Sequence, residues 1–394
     1  MSKSIVEPNN IPVAYKYRIY PNTDQQIQLG KTFGSTRFLF NHFLDLNIKY
    51  YDKKKIGKVK KDGTEYKHLS FYDMNKKIPK LKKKYPWLSE VDSISLQQVC
   101  KDLSVAYDRF FKQISGHPDF KKRSNSQSYR TQFIPTSNGG NIYIDPNGYI
   151  QLPKLKWVKM VYHRPHKGRI INATVSKTPS GEYYVSVLCS VDSTIIKLPK
   201  KTKSHIGIDM GVRNFCTLST GEILKNPKHL KKSEKKLAKL QRRLAKKQKG
   251  SSNRERARAK VAKIHQHIAN QRKDFLHKLS TRLVRENQTI SLETLNVKRM
   301  SETESNSINK AVRTTGWSMF VTFLKYKAVW YHRTISEIEW HFPSSKTCSC
   351  CGHVRKKLRL KIKYWTCKKC QTRHHRDKNA AINIDQRGLL LLKG

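Results

Sequence analysis

The sequence predicts a multidomain α/β chain: a β-rich N-terminal half with an inserted helical lobe, then an α/β domain with a small metal-binding ribbon. Three observations predict it. Helical periodicity dominates up to about residue 114, and six short strand-like runs follow up to residue 191. Beyond them, strand and helix patterns mix around a cysteine cluster. A chain of 394 residues, 37% of them hydrophobic, is long enough for two or three domains with real cores.

The first strand and three helices follow from apolar spacing. Residues 13–20 alternate as a strand with one basic face, and Thr23 with Gln26 predicts a capping box for a helix that extends to about Tyr51. A second helix is predicted around 71–81. The clearest helix spans 93–114, with Asp92 or Ser93 as its cap, because its apolar residues recur at steps of three and four. These helices should pack together as one lobe.

The six strand-like runs predict a small β-barrel with the helical lobe inserted after its first strand. They lie at 129–134, 142–144, 149–152, 157–162, 170–176 and 183–191. Asp145-Pro-Asn-Gly148 and Thr178-Pro-Ser-Gly-Glu182 have the composition of hairpin turns. A short basic linker, 198–203, places the main domain boundary near residue 200.

Three acids in the second half stand at ends of predicted elements. Asp209 ends a buried strand before Gly211, and Glu293 ends the apolar run that begins at Thr289. Asp377 occupies an N-cap or first-turn position of a helix through Ala380 and beyond. Two strand ends and a helix start can converge, and oxygen-only ligands suit Mg²⁺ or Mn²⁺ for phosphodiester cleavage. A single Asp in a hairpin turn would be the plainer interpretation of Asp209 alone.

Two leucine-rich stripes between these acids predict a basic helical hairpin, 228–287, broken by Gly250-Ser-Ser-Asn253. Its outer faces are rich in Lys and Arg. Any single lysine could belong to a merely solvated face, but the excess over two helices favours phosphate contact. An amphipathic helix from Trp317 and a strand at 334–339 follow.

The cysteine spacing predicts a zinc ribbon. Two C-x₂-C pairs, Cys348 with Cys351 and Cys367 with Cys370, are separated by fifteen residues. Four thiolates close the coordination shell, so the zinc should be structural. Cys350 is an extra thiol, whereas Cys100, Cys189 and Cys216 lie in apolar surroundings typical of core cysteines.

The net charge points to a polyanion as partner. The chain has 81 Lys and Arg against 28 Asp and Glu, a formal charge of +53. Nucleic acid is the expected counter-charge and a membrane surface the weaker alternative. No run of about 18 apolar residues exists and the start has no signal-peptide core. We therefore expect a cytoplasmic, nucleoid-associated protein of a prokaryote, without membrane contact.

These motifs together resemble the TnpB family, transposon-encoded RNA-guided endonucleases ancestral to type V CRISPR effectors. The motifs are Asp209-x-Gly after a strand, Glu293 ending a later strand, Arg376-Asp-x-Asn-Ala-Ala after the cysteines, and the runs 17–21, 128–133 and 342–346. The resemblance covers nearly the whole chain. It departs at His374-His375, where the family commonly has His-Asp, and at Gln371, where a glycine often stands.

The resemblance implies the domain order. A β-barrel (WED-like) domain would comprise 1–30 and 117–200, and a helical recognition (REC) lobe 31–116. A ribonuclease H-like RuvC nuclease domain would comprise 201–342 and 373–394, and a nucleic-acid-binding zinc ribbon 343–372. Asp209, Glu293 and Asp377 would be the catalytic, Mg²⁺-binding (or Mn²⁺-binding) acids, and Cys348, Cys351, Cys367 and Cys370 the ligands of one structural zinc.

The implied partners are a guide RNA derived from the transposon end and double-stranded DNA that carries a short flanking motif. They could include a companion transposase. In the N-terminal half, Gln97 could contact base edges with Phe71 and Tyr129 beside it, although an ordinary surface role for Gln97 is an equal alternative. The expected nucleic-acid contacts are Phe71, Gln97, Tyr129, Arg130, Lys231, Lys235, Arg242 and Arg243.

The leading function is therefore an RNA-guided endonuclease that cuts double-stranded DNA at one Mg²⁺-dependent site. A nuclease-dead RNA-guided repressor is an alternative, which the intact acids argue against. A conventional ribonuclease H-like transposase would not need a zinc ribbon between its second and third acids. A basic zinc-ribbon protein of the ribosome would need neither Asp209 nor Glu293.

Overall fold

A computed structural model describes residues 10–59, 63–124, 126–137, 139–195, 199, 203–294, 309, 312, 314–359 and 362–393. The chain divides into two compact units, Met1–Asp192 and Ser193–Gly394. Both contain helices and sheets, as the α/β prediction requires.

The first unit begins with strand β1 (Asn10–Tyr20) and helices α1 (Thr23–Lys55), α2 (Phe71–Lys84) and α3 (Ser93–Phe111), with a 3₁₀ turn at Pro86–Ser89. The capping box of α1 is formed by Asn22 and Gln25, so the predicted pair, Thr23 and Gln26, was wrong by one residue. Asn and Thr both accept at an N-cap, and the sequence alone did not distinguish them. Asp92 caps α3, accepting from the amides of Ile94 and Ser95.

The three helices share one apolar core, as predicted for the helical lobe. It contains Leu39, Phe40, Phe43, Leu44, Leu69, Met74, Ile78, Leu81, Leu88, Val91, Leu96, Val99, Cys100, Leu103 and Tyr107.

Seven antiparallel strands form the sheet of this unit, in the order β2-β6-β7-β1-β5-β4-β3. The strands after α3 are β2 (Gln127–Gln132), β3 (Tyr143–Asp145), β4 (Tyr149–Leu152), β5 (Lys156–Met160), β6 (Arg169–Lys177) and β7 (Tyr183–Asp192). Because β1 is central, the helices are inserted between strands of one sheet. Within the described part of the chain no ladder joins the edge strands β2 and β3, so the closed barrel stays a prediction.

The second unit contains a five-stranded mixed sheet in the order β10-β9-β8-β11-β12. Its strands are β8 (His205–Met210), β9 (Asn214–Leu218), β10 (Ile223–Lys225), β11 (Thr289–Glu293) and β12 (Thr334–Ile338). Strand β11 is parallel to both β8 and β12, whereas β9 is antiparallel to β8 and β10. Parallel neighbours end at the same edge of a sheet, which brings residues at their C-terminal ends together.

The second unit also contains helices and a small two-stranded ribbon. The helices are α4 (His229–Ala245), α5 (Ser252–Glu286), α6 (Trp317–Trp330) and α7 (Arg376–Leu391), and a 3₁₀ turn lies at Ser193–Ile195. Helices α4 and α5 pack against each other as the predicted hairpin. Strands β13 (Tyr364–Thr366) and β14 (Arg373–His375) form the two-stranded ribbon.

Two glycines let α7 pack directly on the strands. A Cβ atom added at Gly207 in β8 would lie 2.1 Å from the carbonyl oxygen of Ala381, and one at Gly388 in α7 would lie 2.1 Å from the hydroxyl of Ser291. The absence of side chains at both positions fixes the depth at which α7, and with it Asp377, sits on the sheet.

Candidate functional site

The three acids lie where the sequence predicted, at two strand ends and a helix start. Ile208 of β8 is paired with Leu292 of β11 in parallel register, so the following residues, Asp209 and Glu293, emerge at one edge of the sheet. Asp377 lies in the first turn of α7, whose N-cap is His375. The partial positive charge of a helix N-terminus favours a carboxylate there.

The charges of Glu293 and Asp377 act on Asp209. Burial raises the pKa of Asp209 well above its ordinary value, and the neighbouring carboxylates of Glu293 and Asp377 raise it further, against the opposing charge of Arg376. Burial also raises the pKa of Glu293, and a hydrogen bond from Ser344 opposes that rise. A cation placed beside such half-buried like charges would relieve both their desolvation and their repulsion.

The ligand geometry differs between the acids and the cysteines. Within the described ranges, the one group of three or more His, Cys, Asp or Glu side chains gathered closely enough to surround one ion is the cysteine cluster. Glu293 and Asp377 lie near enough to Asp209 to raise its pKa, but the three acids do not form a comparable cage. An open, oxygen-only arrangement fits Mg²⁺ or Mn²⁺, which retain several water ligands.

One turn, 343–347, stands beside Glu293. The hydroxyl of Ser344 donates to Oε1 of Glu293. The side-chain amides of Asn379 and Asn383 on α7 each donate to the carbonyl oxygens of Ser344 and Thr347. The turn is therefore fixed to the same helix that carries Asp377.

The four predicted zinc ligands lie together, with Sγ atoms all within 4.8 Å of one another. Cys348 and Cys370 are 3.5 Å apart, and Cys351 and Cys367 are 3.7 Å apart. Tetrahedral zinc with bonds of about 2.3 Å separates its sulfurs by roughly 3.8 Å, so the spacing fits that ion. Hydrogen bonds from Thr372 lower the pKa of Cys370 to about 6, which favours the thiolate that metal binding requires.

Both cysteine pairs have the same local turn. The amide of Gly352 donates to the carbonyl of Cys348, and that of Gln371 donates to the carbonyl of Cys367. Both turn residues are left-handed, with φ of +73° at Gly352 and +56° at Gln371. The departure from glycine at Gln371 thus keeps the turn geometry, at the conformational cost of a side chain in the left-handed region.

His374 also contacts the cluster, with Nε2 3.1 Å from Sγ of Cys348, and its ring packs on Trp365. Cys350 is exposed and lies outside the cluster.

The predicted nucleic-acid contacts in the first unit are only partly accessible. Gln97 is exposed in the first turns of α3, and Phe71 is half-buried against the helical core. Tyr129 is 5% exposed and packs on Phe33, so that position leaves almost no surface for a ligand; its alternation in β2 puts it on the core side. Arg130 is half-buried and paired with Asp102.

The predicted contacts in the second unit, Lys231, Lys235, Arg242 and Arg243, are all exposed on α4. Among the helices that the structure describes, none has the length and apolar composition needed to cross a bilayer.

Sequence inspection missed Ser344, Asn379, Asn383 and His374 as individual contributors. Each lies within a motif already noted, 342–346 or the run from His374 to Asn383. Two amides spaced by four residues on one helix, beside an acid, were the available signal.

Comparison with known proteins defines the class first. Residues 186–304 match a family described as "Probable transposase", residues 317–384 match the Cas12f1-like TNB domain, and residues 12–55 match a family described as "Helix-turn-helix domain". The last match covers a strand and one long helix here, β1 and α1.

Curated relatives then show the family. A "Putative RNA-guided DNA endonuclease" of Streptomyces pristinaespiralis is 37% identical over 384 residues, covering 95% of this chain and 89% of the relative. A second, InsQ of Escherichia coli K12, carries the same description and is 29% identical over 389 residues, covering 94% of this chain and 91% of the relative. The chain belongs to the TnpB family.

The fold is similar to that of Cas12f1, solved by cryo-EM in complex with sgRNA and target DNA. The TM-score is 0.55 at 13% sequence identity, covering 96% of this chain and 99% of that one.

Proposed function

We propose that this chain is an RNA-guided DNA endonuclease that cuts double-stranded DNA beside a short flanking motif, at one Mg²⁺-dependent site formed by Asp209, Glu293 and Asp377. The observation that carries the proposal is the convergence of the three acids: Asp209 and Glu293 follow paired residues of β8 and β11, and the charges of Glu293 and of Asp377 in α7 both raise the pKa of Asp209. The descriptions of the two relatives as RNA-guided DNA endonucleases support an RNA guide and a DNA substrate.

The roles of the acids follow from their positions. Mg²⁺ bound among them would activate water and stabilise the leaving oxygen of a phosphodiester. Asp209 and Glu293 hold their carboxylates on a rigid sheet edge, and Asp377 adds a third from the start of α7. Ser344 keeps one oxygen of Glu293 oriented by donating a hydrogen bond to it. In this assignment the second unit is a RuvC-like nuclease domain.

The cysteine cluster has a structural role in this proposal. Cys348, Cys351, Cys367 and Cys370 would hold one Zn²⁺ and leave no open coordination position for chemistry. The ion would stabilise the fold of the ribbon that β13 and β14 form.

The partners are inferred from charge. The exposed Lys231, Lys235, Arg242 and Arg243 give α4 a basic face, which would bind the phosphates of a guide RNA. Base pairing between RNA and DNA would then select the target, while the first unit, as WED-like and REC-like parts, reads the flanking motif with Gln97. A companion transposase and a cytoplasmic location near the nucleoid belong to the same proposal.

The test compares cutting with binding in single variants. Asp209→Ala, Glu293→Ala and Asp377→Ala should each abolish Mg²⁺-dependent cleavage and leave RNA and DNA binding nearly unchanged, because the acids would contact metal and not the phosphate-binding face. Cleavage and filter binding are measured on the same preparations. Glu286→Ala, at the end of α5, is the matched control and should cut normally. Normal cutting by the Glu293 variant would reassign that role.

A further inference from the structure

Two buried asparagines on α7 hold the turn 343–347. Asn379 and Asn383 are four residues apart and so share a face of the helix, with 2% and 4% of their surfaces exposed. The amide nitrogen of Asn383 is 2.7 Å from the carbonyl oxygens of both Ser344 and Thr347. That of Asn379 is 2.7 Å from the Thr347 oxygen and 3.4 Å from the Ser344 oxygen.

The asparagines also anchor the residue after Cys348. The side-chain oxygen of Asn379 accepts a hydrogen bond from the amide of Ser349 at 3.0 Å. The side-chain nitrogen of Asn379 therefore bonds the turn, and its side-chain oxygen bonds the backbone next to Cys348. Buried amides that bond several backbone groups fix the geometry of those groups, because a displacement of the turn would strain or break several buried hydrogen bonds at once.

This turn connects the two chemical centres. At its start, Ser344 is 7% exposed and donates to Glu293. At its end, Thr347 is followed by Cys348, which is 1% exposed and lies in the cysteine cluster. A displacement of the turn would move a carboxylate oxygen and a thiolate together.

We propose that Asn379 and Asn383 are positioning residues which, through the turn 343–347, set both the orientation of Glu293 and the placement of Cys348. This rests on the proposed role of Glu293 as a ligand of Mg²⁺. Neither asparagine would bind Mg²⁺ or Zn²⁺ itself. Each acts through the backbone carbonyls of Ser344 and Thr347. The integrity of the cysteine cluster and the Mg²⁺ affinity of the acid site are then coupled.

The first arm measures the Mg²⁺ concentration for half-maximal cutting by the RNA-loaded protein. Ser344→Ala should raise that concentration about 10- to 100-fold, the usual effect of removing a group that orients a metal ligand. Asn383→Asp, which keeps the shape but loses the donors, should do the same. The double variant should be no worse than the worse single variant, because Asn383 acts through Ser344. Gln386→Ala, an exposed amide on the same helix, should match wild type.

The second arm measures zinc release to a chromogenic chelator, without any nuclease readout. Asn383→Asp and the milder Asn379→Ala should release zinc at least about tenfold faster than wild type. Ser344→Ala and Gln386→Ala should release it at the wild-type rate. If circular dichroism shows that Asn383→Asp does not fold, Asn379→Ala replaces it in both the Mg²⁺ and the zinc measurements.

Additive effects of Ser344→Ala and the asparagine variants on the Mg²⁺ midpoint would overturn the proposal, as would unchanged zinc release from folded asparagine variants. These outcomes differ from failure of the proposed function. If the wild-type protein does not cut programmed DNA in Mg²⁺, the endonuclease assignment fails, while the zinc arm still decides whether the asparagines place Cys348.

Discussion

Cys350 lies between Cys348 and Cys351 in the chain but takes no part in the cysteine cluster. Its side chain is exposed, whereas Cys348 and Cys367 are buried. The amide of Gly352 donates to the carbonyl of Cys348 and closes a turn. Cys348 and Cys351 are the two cysteines of this turn whose Sγ atoms lie in the cysteine cluster. Cys350, between them, is left outside the cluster.

Single cysteine substitutions should separate these roles. Cys350→Ser should retain about one zinc per chain and the wild-type melting temperature. Cys348→Ser and Cys367→Ser should lose the zinc, since a four-thiolate site contributes on the order of 10 kcal/mol or more of folding free energy to its domain. Metal analysis of the purified variants decides it. Zinc retained in Cys348→Ser and lost in Cys350→Ser would reverse the assignment.

At this scale the sequence predicted residues whose chemistry depends on local spacing. The cysteine pairs could be predicted because a metal-binding turn requires x₂ spacing. The acids could be predicted because Asp209 and Glu293 end strand-like runs and Asp377 starts a helix. Ser344, Asn379 and Asn383 act through tertiary hydrogen bonds, which spacing does not reveal. Tyr129 is a core residue of β2, 5% exposed, and its contact with nucleic acid stays a prediction.

At the scale of elements, α7 connects the acid site to the sheet. Its first turn carries Asp377, its buried face packs on β8 and β11, and Asp385 on that face accepts from His205 at 2.8 Å. The helix could be predicted from its cap and apolar residues. Its depth on the sheet could not, because it depends on the contacts of Gly207 with α7 and of Gly388 with Ser291, which form only in the folded chain.

Gly207→Ala should therefore disturb the acid site indirectly, by displacing α7, which carries Asp377. The added Cβ would meet backbone atoms of Ala381 and Asp385 within 2.6 Å, and backbone cannot move aside cheaply. We expect a loss of about 1–3 kcal/mol of stability, together with slower Mg²⁺-dependent cutting. Thermal unfolding and cleavage assays measure both effects.

Gly30→Ala is the control, because an exposed glycine in α1 has no atom within 4 Å of the added Cβ. It should be neutral or slightly stabilising. A Gly207→Ala variant as stable and active as wild type would contradict the packing described here.

Helices α5 and α6 are joined by one buried lysine. Nζ of Lys327 donates to the carbonyl of His277 at 2.8 Å and to the hydroxyls of Ser280 and Thr281 at 2.7 Å each. Burial lowers the pKa of this lysine to about 8. An unfolded lysine titrates near about 10.4, so between these pH values the unfolded chain binds more protons than the folded one.

The contribution of Lys327 to stability should accordingly improve as pH rises from about 8 to about 10.4, by at most about 3 kcal/mol. Lys327→Met should lack this rise. Urea unfolding of both proteins across that range, followed by circular dichroism, gives the difference between their free energies of unfolding. The same pH dependence in the variant and the wild type would show that Lys327 keeps an ordinary pKa.

At the scale of the whole molecule, the chain carries far more positive charge than the folding of its two units requires. The formal charge of +53 implies a polyanion that neutralises much of it. Composition was enough to predict a nucleic-acid partner, and the strand and helix patterns were enough to predict two α/β halves. Closure of the first sheet into a barrel could not be predicted from its strands, because closure depends on the pairing of the edge strands β2 and β3 across the chain.

In the proposed function, the protein holds the nucleic acids and the RNA selects the DNA sequence. A basic face that contacts phosphates binds with strong salt dependence but carries little sequence information. Specificity would then come from base pairing with a bound guide. We expect one defined RNA to copurify with the chain, and RNA binding to weaken steeply between low and moderate salt.

The most direct measurement is the position of the cut after the guide is rewritten. The protein is purified with its RNA, the RNA is sequenced, and its 3′ guide segment is replaced by a sequence that matches a second site with the same flanking motif. We expect Mg²⁺-dependent cleavage to move to the second site, and the Asp377→Ala protein with the same RNA to cut neither site. Cleavage that stays at the original site, or that proceeds equally well without RNA, would contradict it.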